Sequence, residues 1–181
     1  MKVKTLLFIL LLLSFSKGFS QSYLGWTTQK VNFRSGPGKE YSLISSINQG
    51  QQIFIISSET ENDFYNVIDI RTNKEGYIHK SFIKLGRIVE EQNGGLFQSD
   101  GSISNYSPEA EIFNNTEKEL TLKINSITYT FDPYQTRTIT LSPGSSNYRA
   151  SAPGVIPYIG TEYLKSNMKY TWQFYIVTQR R

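Results

Sequence analysis

The sequence predicts an all-β protein in two parts, a small N-terminal barrel and a C-terminal antiparallel β-sandwich, placed after a signal peptide. Three observations predict it. From residue 30 onward the apolar residues alternate or come in short runs. Gly, Pro, Asn and Ser interrupt them about every ten residues, and no stretch repeats its apolar positions with the helical period. Of 181 residues, 38% are hydrophobic and 19% charged, enough apolar content for a core and too little charge for a disordered chain.

The chain opens with Met1, Lys2 and Lys4, an apolar run over 6–13, and small residues at Gly18 and Ser20. This order is that of a secretory signal peptide over 1–20, with cleavage expected near Ser20-Gln21. The run is well short of the ~20 residues that span a bilayer. No later segment is long and apolar enough to do so, so the sequence predicts export, periplasmic or extracellular, with no transmembrane segment in the mature chain. Lys plus Arg is 19 against 15 for Asp plus Glu, but Lys2, Lys4 and Lys17 belong to the leader. The remainder is nearly neutral, which argues against nucleic acid as a partner.

The first block, 22–87, reads as strands at 30–34, 43–47, 52–57, 64–70 and 76–79. Ser35-Gly36-Pro37-Gly38, Asn48-Gln49-Gly50, the polar 59–63 run and Thr72-Asn73-Lys74-Glu75 supply its turns. Short strands in such a compact segment suggest a barrel, in which closure protects the sheet edges. Within it Val31 and Phe33 take one face of their strand and Asn32 and Arg34 the other. From 88 to 107 the β pattern gives way to Gly94-Gly95, Gly101, Ser and Asn, which reads as a linker, although Leu96-Phe97 has the composition to dock on either domain. Alternation returns in the second block, 108–181, at 110–113, 120–124, 127–131, 136–141, 148–152 and 169–178. Its last strand carries Tyr170, Trp172, Phe174 and Ile176 on one face, the expected core side. The blocks share neither spacing nor turn chemistry, so no internal repeat is apparent.

The run Val31-Asn32-Phe33-Arg34-Ser35-Gly36-Pro37, followed by Tyr41, Ile44 and Gly50, then Phe64-Tyr65-Asn66-Val67, and closing with Gly76-Tyr77-Ile78-His79 and Phe82-Ile83, resembles the bacterial SH3-like (SH3b) domain family. The resemblance covers about residues 29–85, and family members usually carry tryptophan where this chain has Phe64 and Tyr77. It implies a non-catalytic binding module of exported bacterial proteins, often one that contacts peptidoglycan peptides. A candidate ligand groove uses Tyr41, Phe64, Tyr65 and Tyr77, with Glu61 and Asp63 offering acceptors to peptide amines, while Arg34 beside Tyr41 either binds a carboxylate or stacks on the ring. The competing reading is that these aromatics fill a small barrel. The second block is only weakly similar to exported bacterial β-sandwich modules, through its Pro143-Gly144 turn and the aromatic strand that follows.

In the second block, Pro153 and Pro157 bar 153–160 from the interior of a ladder, so it reads as a loop or an edge. Its apolar residues, Val155, Ile156, Tyr158 and Ile159, either form a contact surface for another envelope protein or a sugar face, or fold back as a plug.

Catalytic residues are scarce. The chain has no cysteine and one histidine, which excludes thiol nucleophiles, thiolate metal sites and disulfides. His79 reads as a strand-end residue bonded to backbone rather than a general base. No Gly-x-Ser-x-Gly elbow occurs, Gly36-Pro37-Gly38-Lys39 lacks the pattern of a phosphate loop, and no Asp-x-Asp-x-Asp loop supports calcium. The enzymatic alternative is a carboxylate pair, Glu109 and Glu111 on one strand face with Glu117 and Glu119 nearby, as in a glycoside hydrolase; any solvated strand face gives the same spacing. The expectation is therefore a binding or adaptor protein of the cell envelope, not an enzyme, without cofactor or metal.

Overall fold

The computed structural model describes residues 21–176. The signal peptide read over 1–20 lies outside them, as does the terminal Arg180-Arg181 pair, which the sequence reads as a solvated end. The first seven strands are β1 (Ser22–Thr27), β2 (Val31–Arg34), β3 (Leu43–Ile47), β4 (Gln52–Ile55), β5 (Phe64–Asp69), β6 (Lys74–His79) and β7 (Ile83–Val89), with a 3-10 turn at Lys80–Phe82 before the last. They form one sheet in the order β3-β2-β6-β5-β4-β1-β7. Val31, Phe33, Ile47, Ile53, Ile55, Val67 and Ile78 are buried in one cluster, joined by Ile83. Residues of both sheet ends, Ile47 of β3 and Ile83 of β7, thus share a core, and the sheet curls round it. Two of these strands, β1 and β7, were not expected from the sequence. Gly25 and Gly86 break their apolar pattern, and each sits where a side chain would strike a neighbour, Ile55 for Gly25 and Trp26 for Gly86.

The remaining strands are β8 (Gln92–Asn93), β9 (Gln98–Ser102), β10 (Glu109–Asn114), β11 (Leu120–Ile124), β12 (Ile127–Phe131), β13 (Thr136–Thr140), β14 (Gly144–Ser151), β15 (Tyr158–Leu164) and β16 (Met168–Phe174). They build two sheets, β13-β10-β16-β9 and β12-β11-β14-β15-β8, whose pairs are antiparallel except β10 with β16 and β15 with β8. Ala110, Ile112, Leu120, Leu122, Phe131 and Ala152 are wholly buried between them. Tyr170 and Phe174 of β16 are buried and Gln173 is exposed, in keeping with the face read from the sequence.

Two segments differ from the sequence reading. The 88–107 stretch read as a linker carries β8 and β9, and Leu96 and Phe97 are buried in the sandwich core. Gly94 and Gly95 take positive φ (73° and 82°), which lets the chain cross from one sheet to the other at a point a side chain would oppose. The Leu96 N–H then donates to Glu162 Oε2 at 2.8 Å. The 153–160 segment read as loop or edge is half strand, since β15 begins at Tyr158, after Pro157. A proline placed just before a strand withdraws no ladder donor, which is why the pattern misled.

The blocks meet along a third apolar cluster. Leu24, Phe54, Ile68 and Ile70, on the outer side of β1, β4 and β5, are buried with Ile159 of β15. Around it the Gly154 N–H donates to the Ile70 carbonyl at 2.7 Å, Asn73 donates to Thr121 at 3.0 Å, and Arg149 pairs with Glu75. Burial raises the Glu75 carboxyl, but Arg149, Asn66 and Lys123 outweigh it and hold the group below the ordinary carboxylate range.

Ile159→Ala is expected to cost about 2–4 kcal/mol in urea unfolding, with amide protection falling at Phe54 and Ile68 but not at Ile112. Because Glu75 titrates lower folded than unfolded, its pairing stabilises the protein above the ordinary value of 4.5 and is lost as pH falls through the depressed value. Glu75→Gln should flatten that acid limb of a stability-against-pH curve.

Candidate ligand-binding site

Beyond the seam, the same outer side continues over β2, the end of β6 and the start of β5, where it is largely polar. Alternation puts Val31, Phe33 and Ile78 inward, so Asn32, Arg34, Tyr77 and His79 face out. Arg34 is paired with Tyr77, Asn66 with Tyr77, and Phe64 with His79, which sets these side chains in adjoining rows. Phe64 therefore belongs to the outer side, buried edge-on against the His79 ring at 5.1 Å.

Two loops frame this surface. Glu61 and Phe64 exchange N–H···O=C bonds of 2.9 and 2.8 Å across a two-residue reversal in which Asn62 and Asp63 have φ of 49° and 66°; such hairpin turns demand left-handed backbone and favour Asn and Asp. Asn62 also donates to the Pro37 carbonyl at 3.3 Å, tying this turn to the 35–42 loop. In that loop the Tyr41 ring lies against Gly36, where a Cβ would collide with it. Arg34 Nη1 donates to the Tyr41 carbonyl at 2.8 Å, closing the loop onto the sheet.

The structure separates the residues proposed from the sequence. Arg34, Tyr41 and Tyr77 adjoin, and burial first, then the charges of Glu61 and Glu75, push the Tyr77 hydroxyl up. Tyr65 is on the opposite side of its strand and packs on the barrel core. Asp63 is held by Lys80 at 2.8 Å, and both are exposed. Glu61 bridges to Phe64 through backbone, leaving its carboxylate free to face solvent.

Beside these residues lies a cavity of about 430 Å³, lined by Lys30, Asn32, Arg34, Lys39, Phe64, His79 and Phe82, among others. Nδ1 of His79 accepts from the Ser81 N–H at 3.3 Å and lies 2.7 Å from its hydroxyl. In the tautomer in which Nδ1 accepts from Ser81, the ring N–H is on Nε2. Three cations, a ring N–H and two aromatic rings meet here with no acid in the lining. That arrangement suits a carboxylate with apolar matter next to it. The sequence reading missed Lys30, Lys39 and Phe82. The signal for Lys39 was its place directly after Gly36-Pro37-Gly38, a reversal that returns the chain over the strand.

In the 153–160 segment, Ile159 is committed to the seam, while Val155 packs on the sandwich core. Ile156 and Tyr158 remain exposed, with Tyr158 stacked on Tyr148 at 5.9 Å. They line a second cavity of about 750 Å³ with Val155 and Trp172. Glu109 and Glu111 do share one side of β10, but Glu109 accepts from Asn105 at 2.9 Å and Glu111 faces Lys169 at 3.5 Å. Among the described residues, no three His, Asp or Glu side chains gather to hold a metal ion.

No curated protein and no solved structure matches the chain. A sheet curled on one core, a Gly-Pro loop pinned by arginine and a closing Gly-Tyr-Ile-His strand coincide with one recognised unit: residues 30–84 match the family model of the bacterial SH3 domain.

Proposed function

We propose that the chain is an exported, non-catalytic binding protein of the bacterial cell envelope, whose SH3-like barrel takes an acidic peptide such as a peptidoglycan stem peptide. The observation that carries this reading is the cation-lined cavity over Phe64 and Phe82. Stem peptides present free carboxylates beside short aliphatic side chains, and Lys30, Lys39 and Arg34 offer charge while the rings offer apolar contact. The family match supports a binding module, and the leader read from the sequence supports export. The ligand contacts assigned here are Lys30, Arg34, Lys39 and the Nε2–H of His79, with Tyr41 and Tyr77 at the rim.

Titration of the full chain with a soluble stem peptide should give binding that weakens as salt rises. Lys39→Glu should reduce affinity about tenfold or more, equivalent to about 1.4 kcal/mol, and amidation of the peptide carboxylates should do the same. Equal affinity for the free and amidated peptides would sink the assignment. Gly36→Ala, by driving a Cβ into the Tyr41 ring, should cost about 1–3 kcal/mol of stability and weaken binding through displacement of the loop, read by thermal melting alongside the titration.

A further inference from the structure

The second cavity is formed by a sheet edge. β16 pairs with β10 along its length, from Lys169 to Phe174. On its other side β9 accompanies it only from Met168 to Thr171, where Gln98 ends the pairing. The chain preceding Gln98 lies with the opposite sheet, through Leu96 on Glu162 and Gly94 on Thr161. Among the described residues no strand flanks 172–174 on the open side. The Asn115 N–H donates to the Phe174 carbonyl at 2.8 Å, so the peptide groups of Phe174 face the β10 side. Those of Gln173 and Tyr175 then face the opening, because backbone groups alternate along a strand. A free edge of this kind is a template for another strand.

The edge runs through a slot with two different walls. Trp172, Val155, Ile156 and Tyr158 make an apolar wall between the sheets, while Glu111 and Gln173 lie on the outer side of β10 and β16. Glu111 is the one charged residue in the lining; Lys169 is shared between it, at 3.5 Å, and Asp100, at 3.3 Å, which leaves the three groups with a net negative charge.

We propose that this slot takes an extended peptide segment of a partner protein by strand addition to β16. An apolar side chain of that segment enters between the sheets against Trp172 and Ile156, and a lysine or arginine on the alternate position faces Glu111. Satisfying the Gln173 N–H and carbonyl together calls for an extended backbone. Side chains of a strand alternate with the same period as the walls, and an acidic wall selects a cation. The site is separate from the barrel and stands whatever the barrel binds.

The test uses the full chain and a short synthetic peptide that alternates valine with threonine around one lysine. Binding should protect the Gln173 and Tyr175 amides from hydrogen exchange. Affinity should fall about tenfold or more when alternate peptide nitrogens are methylated, and likewise in Gln173→Pro, which removes an N–H that no strand among the described residues pairs. Glu111→Lys should lose the lysine peptide and gain its glutamate counterpart, so this charge swap decides the matter should the proline variant fail to fold. Undiminished binding of the methylated peptide would overturn the proposal. So would protection of the same amides by soluble wall glycan fragments instead of the peptide, or by self-association of the chain.

Discussion

The strand β4 is buried on both sides, and much of the structure follows from that. Ile53 and Ile55 face the barrel core while Phe54 faces outward. Leu24, Ile68 and Ile70 lie with Phe54 on the same outer side. A barrel alone would leave these four side chains in water, at a cost on the order of 1.5–3 kcal/mol each. The second block covers them with Ile159. The Gly154-to-Ile70 hydrogen bond and the Arg149–Glu75 pair hold that cover in place.

Covering one side of the barrel leaves the side of β2 and β6 as its open face. Strand β6 shows both halves of this division along a single row of outward side chains. Glu75 at its start is engaged by Arg149 in the seam, Tyr77 follows, and His79 at its end lines the cation-rich cavity. Four residues of strand separate the seam from the cavity by about 13 Å. The central strand of the candidate surface is therefore tied down at both ends, at one to the second block through Arg149 and at the other by the 3-10 turn that follows His79.

Much of the barrel was legible because its strands alternate and its turns carry the residues that left-handed backbone requires, as at Asn62-Asp63. The strands that escaped notice share a cause. β1 and β7 are interrupted by Gly25 and Gly86, glycines required by crowding from Ile55 and Trp26, and crowding is a tertiary fact that local pattern does not carry. β8 and β9 are polar and short, and they form because Glu162 and the neighbouring strands supply partners from far along the chain. The unbroken run Ile53-Phe54-Ile55-Ile56 did contain a usable sign, since a strand apolar at every position is one covered on both sides. The candidate site was legible in its placement only in part: Arg34, Tyr41 and Tyr77, marked by the motif, do adjoin, but alternation alone should have sent Tyr65 inward when Phe64 faces out. The lysines of the cavity come from loops, whose direction of return no periodicity reports.

The two cavities differ in the charge of the side chains that line them. The barrel cavity gathers Lys30, Arg34 and Lys39 with no acid, whereas the slot beside β16 has Glu111 alone among charged residues. Glu111 there shares Lys169 with Asp100, at 3.5 and 3.3 Å, so one lysine is set against two acids. Each cavity also lies on a separate core, the barrel cluster for one and the sandwich cluster for the other. Occupying one need not deform the other, because the seam between them is built from packed side chains and paired charges that neither cavity uses. With the ligands proposed above, the architecture is that of a connector, two unlike surfaces joined through the apolar seam that covers β4.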